Sequence, residues 1–152
     1  VVILIMFVVL FRSIYLAAIG MVPNLLAASV VLGTMGWMKV PLDIMTITVA
    51  AISIGMAVDN TIHYIHRFKL EFKKTSNYEV SMRNSHNTIG RAMFYTSATI
   101  IIGFLVLVTS NFNPTVYFGL FVSLAMFMAL MGALTLLPQL LIILKPLGKE
   151  ES

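Results

Sequence analysis

The residues of this sequence that could carry chemistry are one aspartate and two histidines in or beside a long apolar stretch. Asp59 is followed by His63 and His66 four and seven residues later, which places the three side chains on one face of a helix. A carboxylate inside a bilayer costs about 2.5–3.5 kcal/mol and typically marks a proton or ion pathway. Because carboxyl and imidazole groups can both take up and release a proton, the pattern indicates a proton relay that runs from Asp59 through His63 and His66.

Each of these side chains also has a purely structural interpretation. Asp59 could hold helices together by hydrogen bonds, and a histidine near a membrane interface often packs with its polar tip toward water. The next apolar stretch carries hydroxyl groups at Thr96, Ser97 and Thr99. These hydroxyls could donate to Asp59 across a helix interface, but serine and threonine are also favoured wherever membrane helices pack closely. Both interpretations stay open from the sequence alone.

The composition indicates a membrane protein. The 152 residues are 59% hydrophobic and only 11% charged, with a mean hydropathy of +0.97, whereas soluble domains carry about 25% charged residues. This excludes an ordinary cytosolic globule, a disordered tail and a nucleic-acid-binding domain, so the net charge of +4 is interpreted as a topology signal. Cysteine is absent, which excludes disulfides, thiolate metal sites and a cysteine nucleophile.

Apolar stretches divide the chain into helices that must position Asp59. A spanning helix needs about 20 mostly apolar residues, and four stretches of that length are predicted to span, over residues 14–38, 43–66, 92–111 and 115–144. Residues 92–144 carry no charge and must turn back once, at Ser110–Pro114 (SNFNP). Residues 1–11 are interpreted as the end of a first span whose beginning is missing, so we expect a fragment from the C-terminal part of a longer protein. The predicted fold is all-α, a single polytopic membrane helix bundle over residues 1–152.

The polar segment 67–91 is predicted to be a loop between two spans. Ser76 with Glu79 three residues later is typical of a capping box, and the apolar positions that follow predict an amphipathic helix at the inner membrane surface; a solvated connector is the alternative. Nine of the ten lysine and arginine residues fall on one side of this topology and Lys39 alone on the other. The positive-inside rule places the basic side, with the loop and the C-terminus, in the cytoplasm.

The segment around Asp59 resembles a known family. Residues 55–63 read GMAVDNTIH and resemble the G-x-x-V-D-[DNY]-x-I pattern of the resistance-nodulation-division (RND) superfamily, most closely its MMPL and Patched-like branch. Other motifs follow in the order and spacing of that family: Phe11-Arg12-Ser13, Pro23-Asn24-Leu25, Val40-Pro41-Leu42-Asp43, Gly90-Arg91-Ala92, Thr96-Ser97, Gly103-Phe104, Phe118-Gly119 and Leu137-Pro138. Together they cover nearly the whole chain.

The resemblance implies one half-bundle of an exporter in a bacterial inner membrane. The other half, the large external domains and, in a homo-oligomer, a second copy of the protein would be its partners, along with membrane lipids, protons and a hydrophobic substrate. In the family, acids of this span relay protons whose inward flow drives export of lipids or other hydrophobic molecules. Asp59 takes this role by resemblance. Asn60 stands where many RND drug pumps have a second aspartate, and because an amide cannot titrate, a two-acid relay within this half is in doubt.

Two other classes of protein compete with the exporter hypothesis. A sterol-sensing-like membrane regulator that does not transport shares parts of the pattern. An intramembrane aspartyl protease needs two facing aspartates, whereas Asp43 and Asp59 lie 16 residues apart on one predicted helix, about 24 Å at 1.5 Å per residue. We expect no enzymatic activity, cofactor, metal site or nucleic-acid partner, since the sequence has no phosphate-binding loop, no Ser/His/Asp arrangement and no closed set of metal ligands.

Overall fold

The computed structural model describes residues 2–40 and 44–148 and confirms an all-α membrane helix bundle. Every regular element in that part of the chain is helical. The α-helices are α1 (Val2–Phe11), α2 (Ile14–Trp37), α3 (Ile44–Thr75), α4 (Tyr78–Ser85), α5 (Arg91–Leu105), α6 (Asn113–Met131) and α7 (Leu137–Leu144). Two π-helical turns, His86–Gly90 and Gly132–Leu136, and a 3-10 turn, Val106–Thr109, join some of them.

Short turns combine these elements into a few long helices. α4 continues through a π-helical turn into α5 and on to Thr109, and α6 continues through the second π-helical turn into α7. Both composite helices, Tyr78–Thr109 and Asn113–Leu144, have 32 residues, and with α2 they are long and apolar enough to cross a membrane. α3 also has 32 residues. Since 32 residues extend about 48 Å and the hydrocarbon core is about 30 Å thick, the longest helices project beyond a bilayer.

The segment 67–91 differs from the sequence prediction. α3 runs on to Thr75, and α4 begins at Tyr78 after only two intervening residues, so the segment is a helical hairpin with a tight turn rather than a loop. α4 packs along α3 and α7 as the start of a spanning helix, not as a separate helix on the membrane surface. The capping-box prediction for Ser76 is also wrong: Asn77 is the N-cap, and its Oδ1 accepts from the Val80 N–H at 3.1 Å, as expected for a residue type that leads at this position.

Aromatic side chains fill the hairpin interior at its basic end. The Tyr78 ring lies 6.1 Å from that of Phe68 and 4.3 Å from that of Phe72. Tyr78 Oη donates to the carbonyl of Gly148 at 3.0 Å and accepts from the N–H of Leu147 at 2.9 Å. The buried Tyr78 therefore fixes the segment after α7 against α3 and α4.

His86 joins three helices where the π-helical turns meet. Its Nε2 lies 2.8 Å from the carbonyl oxygen of Leu134 in the second π-helical turn, and its Nδ1 lies 3.0 Å from Tyr64 Oη on α3. A Cβ placed on Gly90 would lie 3.4 Å from the Leu134 side chain. The two π-helical turns thus lie side by side in antiparallel helices. Hydrophobic periodicity, which assumes 3.6 residues per turn, gave no sign of them.

Close backbone contact defines the packing of α5 against α6. A Cβ added at Gly119 would lie 2.5 Å from the carbonyl oxygen of Phe104 and 2.8 Å from Leu107 Cβ. Ser123, one turn after Gly119, donates to the Gly119 carbonyl at 2.7 Å and lies 3.3 Å from that of Ile101. Membrane helices approach this closely where one of them carries a small residue.

A buried polar contact between Asn24 and Thr61 joins α2 to α3, two residues after Asp59 in the sequence. Thr61 Oγ1 lies 3.0 Å from Asn24 Oδ1, and Asn24 Nδ2 donates to the carbonyl of Gly20 at 3.0 Å. Both side chains are buried. Asn24 follows Pro23, which has no backbone N–H to donate. The side-chain contacts of Asn24 therefore stabilise α2 beside a position that lacks a backbone hydrogen bond.

A buried acid binds the basic end of the hairpin together. Glu71 Oε1 lies 2.9 Å from Arg67 Nη2 and 3.4 Å from Lys74 Nζ, and Glu71 Oε2 accepts from Asn84 Nδ2 at 3.3 Å. Burial by itself raises the pKa of Glu71, but the hydrogen bonds from Lys74 and Asn84 and the positive charges of Lys74 and Arg67 outweigh it, so the pKa lies below its ordinary value. The ionised carboxylate is the form that the fold favours.

The lowered pKa of Glu71 predicts loss of stability in acid. The contribution of ionised Glu71 to stability is fully present above pH 4.5, the ordinary pKa of the group. It is lost as the pH falls through the lower pKa that Glu71 has in the folded protein. We expect Glu71→Gln to reduce the thermal stability of the detergent-solubilised protein at pH 7 and to flatten its dependence on pH between neutrality and strong acid. Glu79→Gln, which neutralises an exposed acid on α4, is the control; an equal effect of both variants would contradict the prediction.

Candidate functional site

The structure brings Asp59 and His63 together on one face of α3. His63 Nε2 lies 3.3 Å from Asp59 Oδ1, one helical turn away. The side chains remain 69% exposed at Asp59 and 60% exposed at His63, so this chain does not bury the pair in its own core. His66, the third residue of the predicted relay, lies exposed further along α3. A proton could pass directly between the first two groups.

A small cavity lies beside this pair, between α3 and the start of α5. Its volume is about 190 Å³, enough for several water molecules at about 30 Å³ each. The titratable groups are on one side and the hydroxyl of Thr96 is on the other. The lining residues are Asp59, Asn60, His63, Ile89, Ala92, Met93 and Thr96.

Asn60 lines that cavity and carries an unpaired amide nitrogen. The residue is 7% exposed, and its buried Nδ2 has no hydrogen-bond partner among the described residues. Buried amide groups nearly always have a partner, so Asn60 is an exception in the described part of the fold. Sequence reasoning gave Asn60 a place only through the family pattern, since its burial next to an exposed Asp59 follows from how the other helices, chiefly α2 and α6, pack around α3.

The predicted hydroxyl partners of Asp59 are arranged differently from one another. Thr96 lines the cavity, but its Oγ1 donates to the carbonyl of Ala92 on its own helix at 2.9 Å. Thr99 Oγ1 likewise donates to the carbonyl of Tyr95 at 2.9 Å, and Thr99 does not line the cavity. Ser97 is fully buried, and its Oγ has no partner within the described ranges. Of the three, Thr96 is the one that the structure places beside Asp59.

A larger apolar groove lies on the other side of Asp59, between α1 and α3. Its volume is about 450 Å³. Asp59 is the one charged residue among those that line it: Ile3, Met6, Ala51, Ile54, Gly55, Val58, Asp59 and Ile62. Asp59 therefore stands where a polar cavity and an apolar groove meet. In the described part of the chain, no three His, Asp or Glu side chains are grouped so that they could hold a metal ion.

The chain is similar in sequence to known membrane proteins. The family model described as the MMPL family matches residues 1–150. The protein MJ1562 of Methanocaldococcus jannaschii, which is named as a membrane protein, is 30% identical over 141 residues, covering 93% of this chain and 36% of that relative. The chain thus spans little more than a third of the relative's length. No solved structure matches significantly.

Proposed function

This chain belongs to the MMPL family of the RND superfamily, and on that premise we propose that it forms the transmembrane half-bundle of an exporter of lipids or other hydrophobic molecules. Inward movement of protons drives the export, and Asp59 is the acid that takes up and releases them. The observation that carries the proposal is the position of Asp59, between the cavity that it lines with Asn60, His63 and Thr96 and the apolar groove.

The exposure of Asp59 argues that another part of the protein covers this face. A carboxylate that faced lipid would cost about 2.5–3.5 kcal/mol, and the neighbouring Gly55 is exposed as well. The relative extends well beyond the matched part, so a second half-bundle is available to pack against α1 and α3. Such a partner would close the apolar groove and exclude lipid from Asp59. Substrate selection then belongs to the external domains.

The proposed proton path is based on the geometry of the cavity. A proton reaching Asp59 from the outer side neutralises its carboxylate, which allows that face to lie against apolar surroundings. The proton then moves to His63 Nε2, 3.3 Å away, and leaves toward the basic end of the bundle, with His66 further along the same route. Asn60 and Thr96 line the cavity beside this step.

The basic end of the bundle defines the proposed orientation. Lys69 Nζ donates to the carbonyl of Phe11 at 3.3 Å, and Lys145 Nζ lies 5.8 Å from the centre of the Tyr78 ring. These groups cluster where the helices project beyond a bilayer. By the positive-inside rule this end faces the cytoplasm, in a multi-pass protein of the plasma membrane.

The direct test measures proton movement together with transport. The full-length protein is placed in sealed vesicles with an imposed proton gradient, and candidate lipids are added to the substrate side. Proton flux that depends on the lipid supports the exporter. A protein that binds sterol-like lipids tightly but moves neither lipid nor protons would be a regulator, and this result would overturn the proposal.

Replacing His63 by glutamine is expected to weaken transport in a pH-dependent way. Glutamine keeps a hydrogen bond to Asp59 but cannot accept the proton, so release from Asp59 slows. We expect a several-fold lower rate of transport. The reduction should be smallest at pH values where water alone can carry the proton away. Proton flux between pH 5.5 and 8 measures the effect, with Lys73→Gln, at an exposed residue of α3 outside the relay, as the control. Identical rates for His63→Gln and wild type at every pH would remove His63 from the relay.

A further inference from the structure

An open groove runs between α4 and the composite helix that ends in α7, on the face opposite Glu71. Two cavities of about 380 and 420 Å³ form it, and they share Met82 and Arg83. The first also contains Asn87, Leu134, Pro138 and Gln139; the second contains Glu79, Val80 and Ile142. We call these lining residues the α4–α7 groove.

The groove lies at the level of a membrane surface. Glu71 on α3 accepts a hydrogen bond from Asn84, which follows Arg83 directly. Two residues before Glu71, Lys69 reaches the carbonyl of Phe11, where α1 ends. Arg83 is therefore near the level at which the first two helices meet, and the change there from the apolar α1 to Arg12 is typical of a membrane surface.

The charged groups of the groove form no ion pair with any residue that the structure describes. Arg83 is exposed, and in the described part of the chain neither Arg83 nor Glu79 takes part in an ion pair. An arginine guanidinium binds phosphate through two parallel hydrogen bonds. Glu79 lies one helical turn away, with about 5–6 Å between the two Cβ atoms, and its carboxylate suits an ammonium group.

Apolar residues provide a wall for an acyl chain. Leu134, Pro138 and Ile142 line the groove from the α6–α7 helix. Beyond them Ile143 is 74% exposed. The groove thus combines a cation, an anion and an adjoining apolar surface, all at the boundary between water and lipid.

We propose that the α4–α7 groove binds a phospholipid of the inner leaflet whose headgroup carries both a phosphate and an ammonium group, as in phosphatidylethanolamine. Arg83 binds the phosphate, Glu79 the ammonium, and Asn87 and Gln139 supply neutral hydrogen bonds. A headgroup with an additional negative charge is disfavoured because Glu79 would repel it. The site is separate from Asp59 and does not depend on proton coupling.

Native mass spectrometry of the full-length protein tests this site with three probes of identical acyl chains: phosphatidylethanolamine, phosphatidylcholine and phosphatidylglycerol. We expect the wild-type protein to retain phosphatidylethanolamine best, since its ammonium can donate hydrogen bonds to Glu79. Arg83→Gln should lower that retention about tenfold, whereas Arg83→Lys should keep part of it as a point charge.

The remaining variants separate the headgroup site from general attraction to lipid. Glu79→Gln should reduce the preference for phosphatidylethanolamine over phosphatidylglycerol. Arg91→Gln removes an exposed arginine that lines neither cavity and should change nothing. Equal retention of the three lipids by the wild type, or an equal loss in Arg83→Gln and Arg91→Gln, would overturn the proposal. Because Glu79 and Arg83 are exposed, unfolding temperatures should match those of the wild type.

Discussion

Asp59→Asn is expected to abolish substrate-dependent proton flux while leaving insertion and abundance normal. Asparagine has nearly the same size and can still contact His63, whose Nε2 lies 3.3 Å from Asp59 Oδ1, but it cannot carry a proton. Loss of a positioned acid–base group slows proton transfer by about 10²–10⁴-fold. We therefore expect flux in vesicles to fall to the level of protein-free controls.

The matched control for Asp59→Asn removes a negative charge elsewhere. Glu150→Gln changes the polar C-terminal end of the sequence and should keep wild-type flux. Comparable abundance and thermal stability of the three proteins show that the loss concerns proton transfer. If Asp59→Asn kept full flux, the titrating group would lie in the part of the protein outside this chain, and the half-bundle described above would be a scaffold.

Gly119→Ala is expected to cause the largest loss of stability among conservative substitutions in the bundle. Its new Cβ would meet the carbonyl oxygen of Phe104 at 2.5 Å, a backbone atom that cannot rotate away. Separating α5 from α6 to relieve this contact costs about 1–3 kcal/mol, as other overpacked sites do. The expected result is a clearly lower unfolding temperature in detergent and less folded protein in the membrane.

Gly103→Ala provides the comparison for Gly119→Ala. Gly103 lies on α5, the helix that Gly119 contacts, but a Cβ at Gly103 would meet nothing within 4 Å. The same change should therefore be neutral or slightly stabilising, since alanine favours helix. Equal effects of the two substitutions would show that helix propensity, and not the close approach of α5 and α6, determines the outcome.

The long apolar stretches made the spanning helices predictable, but the polar hairpin between them was not. Arg67, Glu71 and Asn84 look like the residues of a solvated loop when read in order. In the structure Glu71 pairs with Arg67 on its own helix and accepts from Asn84 on α4, and the contact with Asn84 stabilises the hairpin in which both helices continue. Periodicity within one segment contains no information about it.

The candidate site was predictable only where it depends on contacts within one helix. The spacing of Asp59 and His63 on one helix determines their contact, so local geometry was sufficient. Which side of α3 the rest of the bundle covers depends on how α1, α2 and α6 pack, and the sequence pattern around Asp59 does not specify it. The burial of Asn60 and the exposure of Asp59, adjacent in the chain, emerge only from that packing.

The pair of π-helical turns joined by His86 has a mechanical consequence. A π-helical turn contains one residue more than an α-helical turn, so passing that residue along the helix rotates the segment beyond it by about 100° and moves it by about 1.5 Å. Because the two turns lie side by side, both helices can change register at one level while Tyr78 keeps their basic ends fixed. Small twists of α5 could then open and close the cavity beside Asp59 without any helix leaving the membrane.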